Sequence, residues 1–265
     1  MILPWDQLVG RSGRRTEVSG AGQILQRAAA VLARIIPNGS LEQIIHRVDT
    51  LHRLEEDGVR VMNSASAIER SVDKAWATSI LERTGLATPE TVVCEQIDDA
   101  FAAFRSMADV VVKPLFGSMG LGMVRVSDEE MAFRVFRAIE QVRGVFYLQR
   151  FIPHGGRDIR AFVVGDDVIG AIERRSDGWR TNVSRGGTAA RFDLPESWRQ
   201  MALQAARAIG AEYAGVDLLP ADDGTVYLLE INGIPGWRGL QDATGLDVAD
   251  AIIGRLLRPG ADRSA

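Results

Sequence analysis

Gly215-Val216-Asp217-Leu218-Leu219 and Tyr227-Leu228-Leu229-Glu230-Ile231-Asn232 are two largely apolar runs separated by the polar tip Ala221-Asp222-Asp223-Gly224. That pattern reads as a β-hairpin. With the tip centred between Asp222 and Asp223, Asp217 lies opposite Leu228. Side chains alternate along a strand, so Asp217, Glu230 and Asn232 fall on one face. Acids and an amide inside apolar strands are costly to bury unless something pairs with them. A hard cation does so: Mg²⁺ takes one or two carboxylates and completes its octahedron with water and substrate phosphates. The plainer alternative is a solvent face with polar residues at alternate positions. The metal reading is preferred.

Upstream, elements follow one another as short strands and helices. Val31 to Ile36 is a strand candidate stopped by Pro37-Asn38-Gly39. The spacing of Leu41, Ile44, Ile45, Val48, Leu51 and Leu54 predicts a helix over 41–56, ended by Gly58. A short strand at Val59 to Met62 and a helix over 73–84 come next. Strands at Thr91-Val92-Val93, Val110 to Pro114, Met123 to Val126 and Val145 to Ile152 alternate with helices over 98–107 and 128–143. Ile159 to Val164 and Val168 to Arg174 form a hairpin over Gly165-Asp166-Asp167. Helices over 194–209 and 248–257 close the chain. The first thirty or so residues are weakly patterned and expected to be partly mobile, as is the tail after Pro259. Hairpins alternating with helices indicate α+β and not a doubly wound sheet.

The chain has 265 residues, 46% of them hydrophobic, and a formal net charge of −4. It can bury a full core, and it lacks the basic balance of an electrostatic nucleic-acid binder. No run approaches the ~18 apolar residues of a membrane span. Met1-Ile2-Leu3-Pro4-Trp5-Asp6 has neither a charged n-region nor an apolar h-region, and the single cysteine, Cys94, excludes an internal disulfide. The cytoplasm is the expected compartment.

Lys113 ends an apolar strand and is followed by Gly117-Ser118-Met119-Gly120-Leu121-Gly122. This G-x-x-G-x-G run lies between two strands and opens no helix, so it fails the context test for a dinucleotide fold. Glycines there let backbone N–H groups approach phosphates, with a lysine supplying charge. Among arginines, Arg160, Arg174, Arg175 and Arg185 are candidate forks for carboxylate or phosphate. Arg185, beside Asn182 and Gly186-Gly187, is the best placed of them. His46, His52 and His154 show no zinc spacing. Trp76, Trp179, Trp198 and Trp237 are read as packing residues, with Trp237 close to the acidic hairpin.

Taken in order, these pieces resemble the ATP-grasp superfamily, and within it the RimK-type amino-acid ligases. The matching segments are Asn63-Ser64 through Asp73-Lys74, Val112-Lys113-Pro114 with Gly117 to Gly122, and Leu148 to Ile152. They continue with Asp158-Ile159-Arg160, Ala171 to Arg175, Asn182 to Gly187, Gly215-Val216-Asp217, and Glu230-Ile231-Asn232 through Pro235-Gly236. The resemblance implies two α+β lobes gripping ATP. An abbreviated N-terminal lobe would span 1–63, a glycine-loop lobe about 64–147, a metal-binding lobe about 148–257, and a flexible tail 258–265.

The resemblance also implies roles. Lys74 and Lys113 would contact ATP phosphates beneath a loop carrying Gly117, Ser118, Gly120 and Gly122. Gln149, Arg150, Phe151 and Ile152 would form the hinge that reads adenine, with Leu229 under the ring. Asp217, Glu230 and Asn232 would hold Mg²⁺, two ions with Mn²⁺ as an alternative. Arg160, Arg174, Asn182 and Arg185 would orient the acceptor carboxylate and the transferring phosphoryl group. The implied activity is an ATP-dependent carboxylate–amine ligase working through an acylphosphate, with a small-molecule acid acceptor and L-glutamate as donor. The coenzyme would be methanopterin-like or methylofuran-like, because Pro235-Gly236-Trp237-Arg238-Gly239-Leu240 looks closer to ligases acting on one-carbon coenzymes. Arg150 departs from the family, which usually has an acid there. Other readings are a ligase for a protein C-terminus or an amino-acid biosynthetic intermediate, and a non-catalytic nucleotide-binding or scaffold protein. A kinase-like phosphotransferase lacks its motifs. No nucleic acid or membrane partner is expected, and a homo-oligomer is left open.

Overall fold

The computed structural model describes residues 1–13, 16–117, 120–182 and 186–258. The chain begins with three short antiparallel strands, β1 (Leu8–Arg11), β2 (Glu17–Gly20) and β3 (Gln23–Ile24), which form one sheet. The expectation of a weakly ordered N-terminus is thereby corrected. Val18 and Leu25 are buried against Val48, Leu51 and Leu54 of the following helix, which fixes the segment. The strand candidate over 31–36 shrinks to β4 (Val31–Leu32), because only these residues pair, in parallel, with β5 (Val61–Met62). Between them lies α1 (Leu41–Glu56), opened by a capping box in which Ser40 and Gln43 satisfy each other's backbone N–H. The helix α2 (Ala65–Val72), absent from the sequence reading, follows an N-cap at Ser64. Two of its four buried residues are alanines, Ala65 and Ala67, which give weak periodicity.

The next helix is α3 (Lys74–Arg83), capped by Asp73. A four-stranded antiparallel sheet follows, built from β6 (Thr91–Cys94), α4 (Ile97–Met107), β7 (Val110–Lys113), β8 (Val124–Val126), α5 (Glu129–Gln141) and β9 (Phe146–Arg150). Its strand order is β6-β9-β7-β8. Phe136 of α5 meets Phe101, Phe104 and Phe146 edge to face, which seals the two helices onto the sheet.

The second large sheet has the order β12-β11-β10-β13-β14, all antiparallel. Its elements are β10 (Arg157–Val164), β11 (Asp167–Arg175), β12 (Thr188–Arg191), α6 (Glu196–Ile209), β13 (Tyr213–Pro220) and β14 (Val226–Asn232), followed by α7 (Arg238–Thr244) and α8 (Val248–Leu256). Strand β12 and helix α7 add to the elements read from sequence. Alternation sorts this sheet's residues. Ile159, Ala161, Val163, Val216 and Leu218 bury against α6, joined by Ala77, Leu81 and Leu86 from α3 and its exit. Asp158, Arg160, Gly215 and Asp217 therefore face the other way, toward the first sheet. No helix among the described residues is long and apolar enough to cross a membrane.

Candidate active site

Strands β13 and β14 pair as expected, but with a register break. Leu218 is opposite Leu228, whereas Asp217 is opposite Glu230, so a bulge at Leu229 intervenes. The expectation that Asp217 faces Leu228 is corrected. The shared face survives, and the two carboxylates become direct cross-strand partners. Such a pair repels unless something neutralises it. Arg160, opposite Asp217 on β10, does so. Its Nε and Nη2 donate to Oδ1 and Oδ2 of Asp217 at 2.6 Å each, and Nη2 lies 3.7 Å from Glu230.

Arg174 adds a second cation. It donates to Asp158 through Nε and Nη2 at 2.7 and 2.6 Å, and lies 2.9 Å from Asp217, with Thr181 donating to Asp158 at 2.6 Å. Burial alone would raise the Asp217 carboxyl, yet Arg160 and Arg174 hold it far below the usual carboxylate range. Burial likewise opposes the Arg174 charge, but Asp217 and Asp158 more than offset it and its pKa is raised. Each buried carboxylate thus has a guanidinium partner, while the Glu230 side chain stays 37% exposed.

At the end of β7, Lys113 is buried and donates from Nζ to Gln149 Oε1 at 2.6 Å. Burial pushes its ammonium down to about 8, with Glu230 opposing and Lys74 adding to the fall. Burial also lowers Lys74, against the pull of Glu230 and Asp73. Lys74 Nζ donates to Leu115 O at 3.3 Å and to Gly117 O at 2.8 Å, so it carries the start of the glycine loop. Gly120 has φ +67°, and a Cβ there would lie 2.5 Å from Asn182 Oδ1. Only glycine lets the loop lie this close to the second lobe.

The hinge after β9 differs in detail from the expectation. Gln149 uses both ends of its amide inside the protein, on Lys113 and on Thr91 Oγ1 at 3.1 Å. The Arg150 guanidinium pairs with Glu90 and donates to Met107 O, an ion pair where the family usually has an acid. Arg150 N–H and Phe151 N–H donate to Glu90 O and Asp109 O. Among the described residues the Ile152 N–H has no acceptor, although Ile152 is buried. Ile152 lines the cleft, so its N–H is open to a ligand there.

These groups converge on one cleft. Lys74, Lys113, Gly117, Gly120, Gln149, Arg150, Phe151, Ile152, Arg174, Asn182, Asp217, Leu229 and Glu230 all line it. Arg160 reaches it through Asp217. Gly122 and Asn232 are not in the lining. Gly122 sits against Pro114, and Asn232 Oδ1 accepts from Ile234 N at 2.9 Å. Ser118, Arg185 and the tail after Pro259 lie outside the described residues.

Sequence reasoning missed Asp158, Trp179, Arg180 and Thr181, which also line the cleft. Trp179, read as packing, meets Phe151 edge to face at 6.4 Å and carries the Arg180 guanidinium at 4.6 Å. Arg180 donates across the lobes to Met123 O, and its Nε is buried without a partner. The run Trp179-Arg180-Thr181-Asn182, an aromatic and a cation just ahead of Asn182, was the available signal.

Two α+β lobes with a cleft between them, a glycine loop on one and an acidic hairpin on the other, define the ATP-grasp class. A family model for the RimK-like ATP-grasp domain matches residues 71–256, and the chain belongs to that family. A protein of Methanosarcina acetivorans named tetrahydromethanopterin:alpha-L-glutamate ligase is 37% identical, covering 88% of this chain and 81% of its own length. One from Trichodesmium erythraeum named probable alpha-L-glutamate ligase is 36% identical, over 90% and 80%. The solved structure of the ATP-grasp ligase PsnB with its minimal precursor superposes with a TM-score of 0.72 at 20% identity, covering 95% of this chain and 86% of that one, which shows the shared fold. The α+β ATP-grasp fold expected from sequence is borne out. The chain is an ATP-dependent ligase, and the non-catalytic scaffold alternative is set aside.

Proposed function

We propose that this ligase joins the amine of L-glutamate to a carboxylate of a methanopterin-like coenzyme. The observation that carries the reading is the meeting, in one cleft, of the buried Lys113 with the opposed pair Asp217 and Glu230. The tetrahydromethanopterin relatives, alike over most of the chain, supply the substrate class. Adenine would sit at Leu229 and the free Ile152 N–H, with its triphosphate running past Lys113 and Lys74 under the glycine loop.

Asp217 and Glu230, with Asn232 at the strand end, supply the oxygen donors Mg²⁺ takes, two carboxylates and an amide; Arg160 and Arg174 hold the Asp217 oxygens and Ile234 N holds the Asn232 amide oxygen, so an ion there would take over those contacts. We assign them two ions, with Mn²⁺ able to substitute. Bound there, the metal would neutralise phosphate charge. Among the described residues no group of three or more His, Cys, Asp or Glu side chains forms a metal cluster, so an all-protein cage for another metal is not part of the reading.

In the proposed reaction a carboxylate oxygen of the coenzyme attacks the γ-phosphorus, the bond to the β-phosphate oxygen breaks, and ADP leaves. The glutamate nitrogen then attacks the acyl carbon, phosphate departs with the bonding pair, and the amine gives up a proton as the amide forms. No protein nucleophile is needed; positioning and charge neutralisation do the work. Arg160, fixed in a bidentate grip by Asp217, has one edge toward Glu230 and the phosphoryl end. Arg174 holds Asp217 from the other side and so positions the carboxylate. Arg180, at the lobe junction, is assigned to the glycine loop and to excluding water from the acylphosphate. Asn182 and Arg185 are assigned to the acyl-phosphate oxygens. We place the reaction in the cytoplasm.

The test is turnover with tetrahydromethanopterin, MgATP and L-glutamate, read by mass spectrometry. The expected product carries one or more added glutamyl residues with matching ADP. Glutamylation of a methylofuran-type acceptor alone would move the assignment to that coenzyme. No product from either acceptor would overturn it.

A further inference from the structure

Arg34 lies between the N-terminal lobe and the loop that leaves β14. Its guanidinium stacks on the Trp237 ring at 3.9 Å, and Nη1 donates to Pro235 O at 3.0 Å. It is half-buried, and no acidic side chain among the described residues pairs with it. A half-buried guanidinium on an aromatic platform can grip a planar carboxylate with the donors that Pro235 O and the Tyr213 hydroxyl leave over.

The backbone around Arg34 is held with care. Ile35, a β-branched residue, has φ +39°, a conformation that side chains of its shape rarely adopt. The Trp5 indole N–H donates to both Arg34 O at 3.1 Å and Ile35 O at 2.9 Å, and Tyr213 Oη donates to Ala33 O at 3.0 Å. Strain that its surroundings hold in place is a mark of a site.

Arg34 also sits next to the chemistry. Gly215 is two residues before Asp217 on the same face. A Cβ there would lie 3.0 Å from Pro235 Cβ and 3.6 Å from Arg160 Cδ, so the missing side chain lets Pro235 close on Arg160. Trp237 meets Phe162, two residues past Arg160, edge to face at 6.5 Å. Along this face the order is Leu219 near the hinge, then Asp217 with Arg160, then Gly215 with Pro235, then Arg34. The amine adds to a face of the acyl carbonyl, and with the phosphate held at the Lys113 side its amino acid would enter from the Gly215 end. An incoming amino acid brings free carboxylates, while Arg160 and Arg174 are taken up by Asp217 and Asp158.

We infer that Arg34, stacked on Trp237, binds a spectator carboxylate of the incoming amino acid and is a specificity-determining residue for the amine substrate. The inference rests on the ligase reading above and names the amine subsite within it. Steady-state kinetics with tetrahydromethanopterin, MgATP and L-glutamate test it. Arg34→Gln raises the KM for glutamate by about 10–100-fold, the loss of one charged hydrogen-bonded grip. It changes kcat much less and does not move the KM for ATP, which also reports that the variant is folded. Arg34→Lys recovers part of the loss, because the charge remains and the fork does not. Glutamine and isoglutamine, each lacking one carboxylate of glutamate, identify which group is read: wild type discriminates against one of them, and Arg34→Gln no longer does. An unchanged KM for glutamate in Arg34→Gln overturns the inference. So does a rise that falls on the coenzyme instead, or equally on ATP, which would mark Arg34 as a tether. If the wild type consumes no glutamate with any acceptor, the ligase reading itself fails, and the inference falls with it before any variant is made.

Discussion

Burial holds Lys113 at about 8 in the nucleotide-free protein, and a triphosphate beside the ammonium favours the charged form. At pH 7 the group is protonated before and after binding, so ATP binds without drawing a proton. At pH 9 it is mostly neutral in the free protein and charged in the complex. Binding there takes up close to one proton, and affinity falls as pH rises above about 8. Calorimetry of a non-hydrolysable ATP analogue at pH 9, in two buffers of different ionisation heat, should show the uptake, and Lys113→Met should abolish it. That variant should also weaken binding by ~1.5–3 kcal/mol, the value of a charged hydrogen bond. Equal heats in both buffers for the wild type would mean that Lys113 does not face the phosphates. The same shift has a folding consequence. Because the folded pKa is below the unfolded one, the unfolded chain holds more protons between about pH 8 and 10.5, so the contribution of Lys113 to stability rises with pH across that window.

The glycine loop between β7 and β8 lies against Asn182 through Gly120, and the β8 entry is tied to the second lobe by Arg180 on Met123 O. Gly120→Ala asks an alanine to take φ +67° and to push into Asn182. It should lower kcat/KM for ATP by roughly tenfold, about 1.4 kcal/mol of transition-state stabilisation, with little change in Tm because the strain is confined to the loop. Wild-type kinetics in this variant would show that the loop need not close on Asn182. Elements were legible in the sequence where alternation or helical spacing met clear stops. The β13–β14 hairpin carries its acids at alternate positions between apolar residues, and α1 has its capping box and Gly58. The register of that hairpin was not legible, because a bulge at Leu229 leaves the apolar pattern of both strands unchanged. Helix α2 was hidden by its alanines, and the N-terminal sheet by its dependence on contacts with α1, distant in sequence. Of the site, Lys113 and the Asp217–Glu230 pair could be read directly, and Lys74 only through the family resemblance. Arg180 could be found only through the run Trp179 to Asn182, and Asp158 not at all, since a lone aspartate carries no pattern until the fold brings it to the cleft.

The lobes meet at Asn63, which is fully buried. Its Nδ2 donates to Tyr213 O at 2.7 Å and Gly233 O at 2.6 Å, and its Oδ1 accepts from Glu212 N at 2.6 Å and Tyr213 N at 3.1 Å. One side chain thus pins the end of the N-terminal lobe to the start of β13 and to the turn after β14, on both sides of the acidic pair. Asn63→Ala strands four buried backbone groups and should cost roughly 2–4 kcal/mol, a fall in Tm of about 5–10 °C by calorimetry. An unchanged Tm would mean that the junction is held elsewhere, for instance by Arg60 on Glu212 at 2.6 Å. In the proposed function, the cleft that this junction frames makes and protects an acylphosphate. Isotope transfer tests that claim most directly. Tetrahydromethanopterin labelled with ¹⁸O in its carboxylates is turned over with MgATP and L-glutamate, and the released phosphate is weighed by mass spectrometry. The expected result is one ¹⁸O in each phosphate, carried there when the carboxylate oxygen bonds to phosphorus and stays with it as the amide forms. Unlabelled phosphate alongside a glutamylated product would contradict the account.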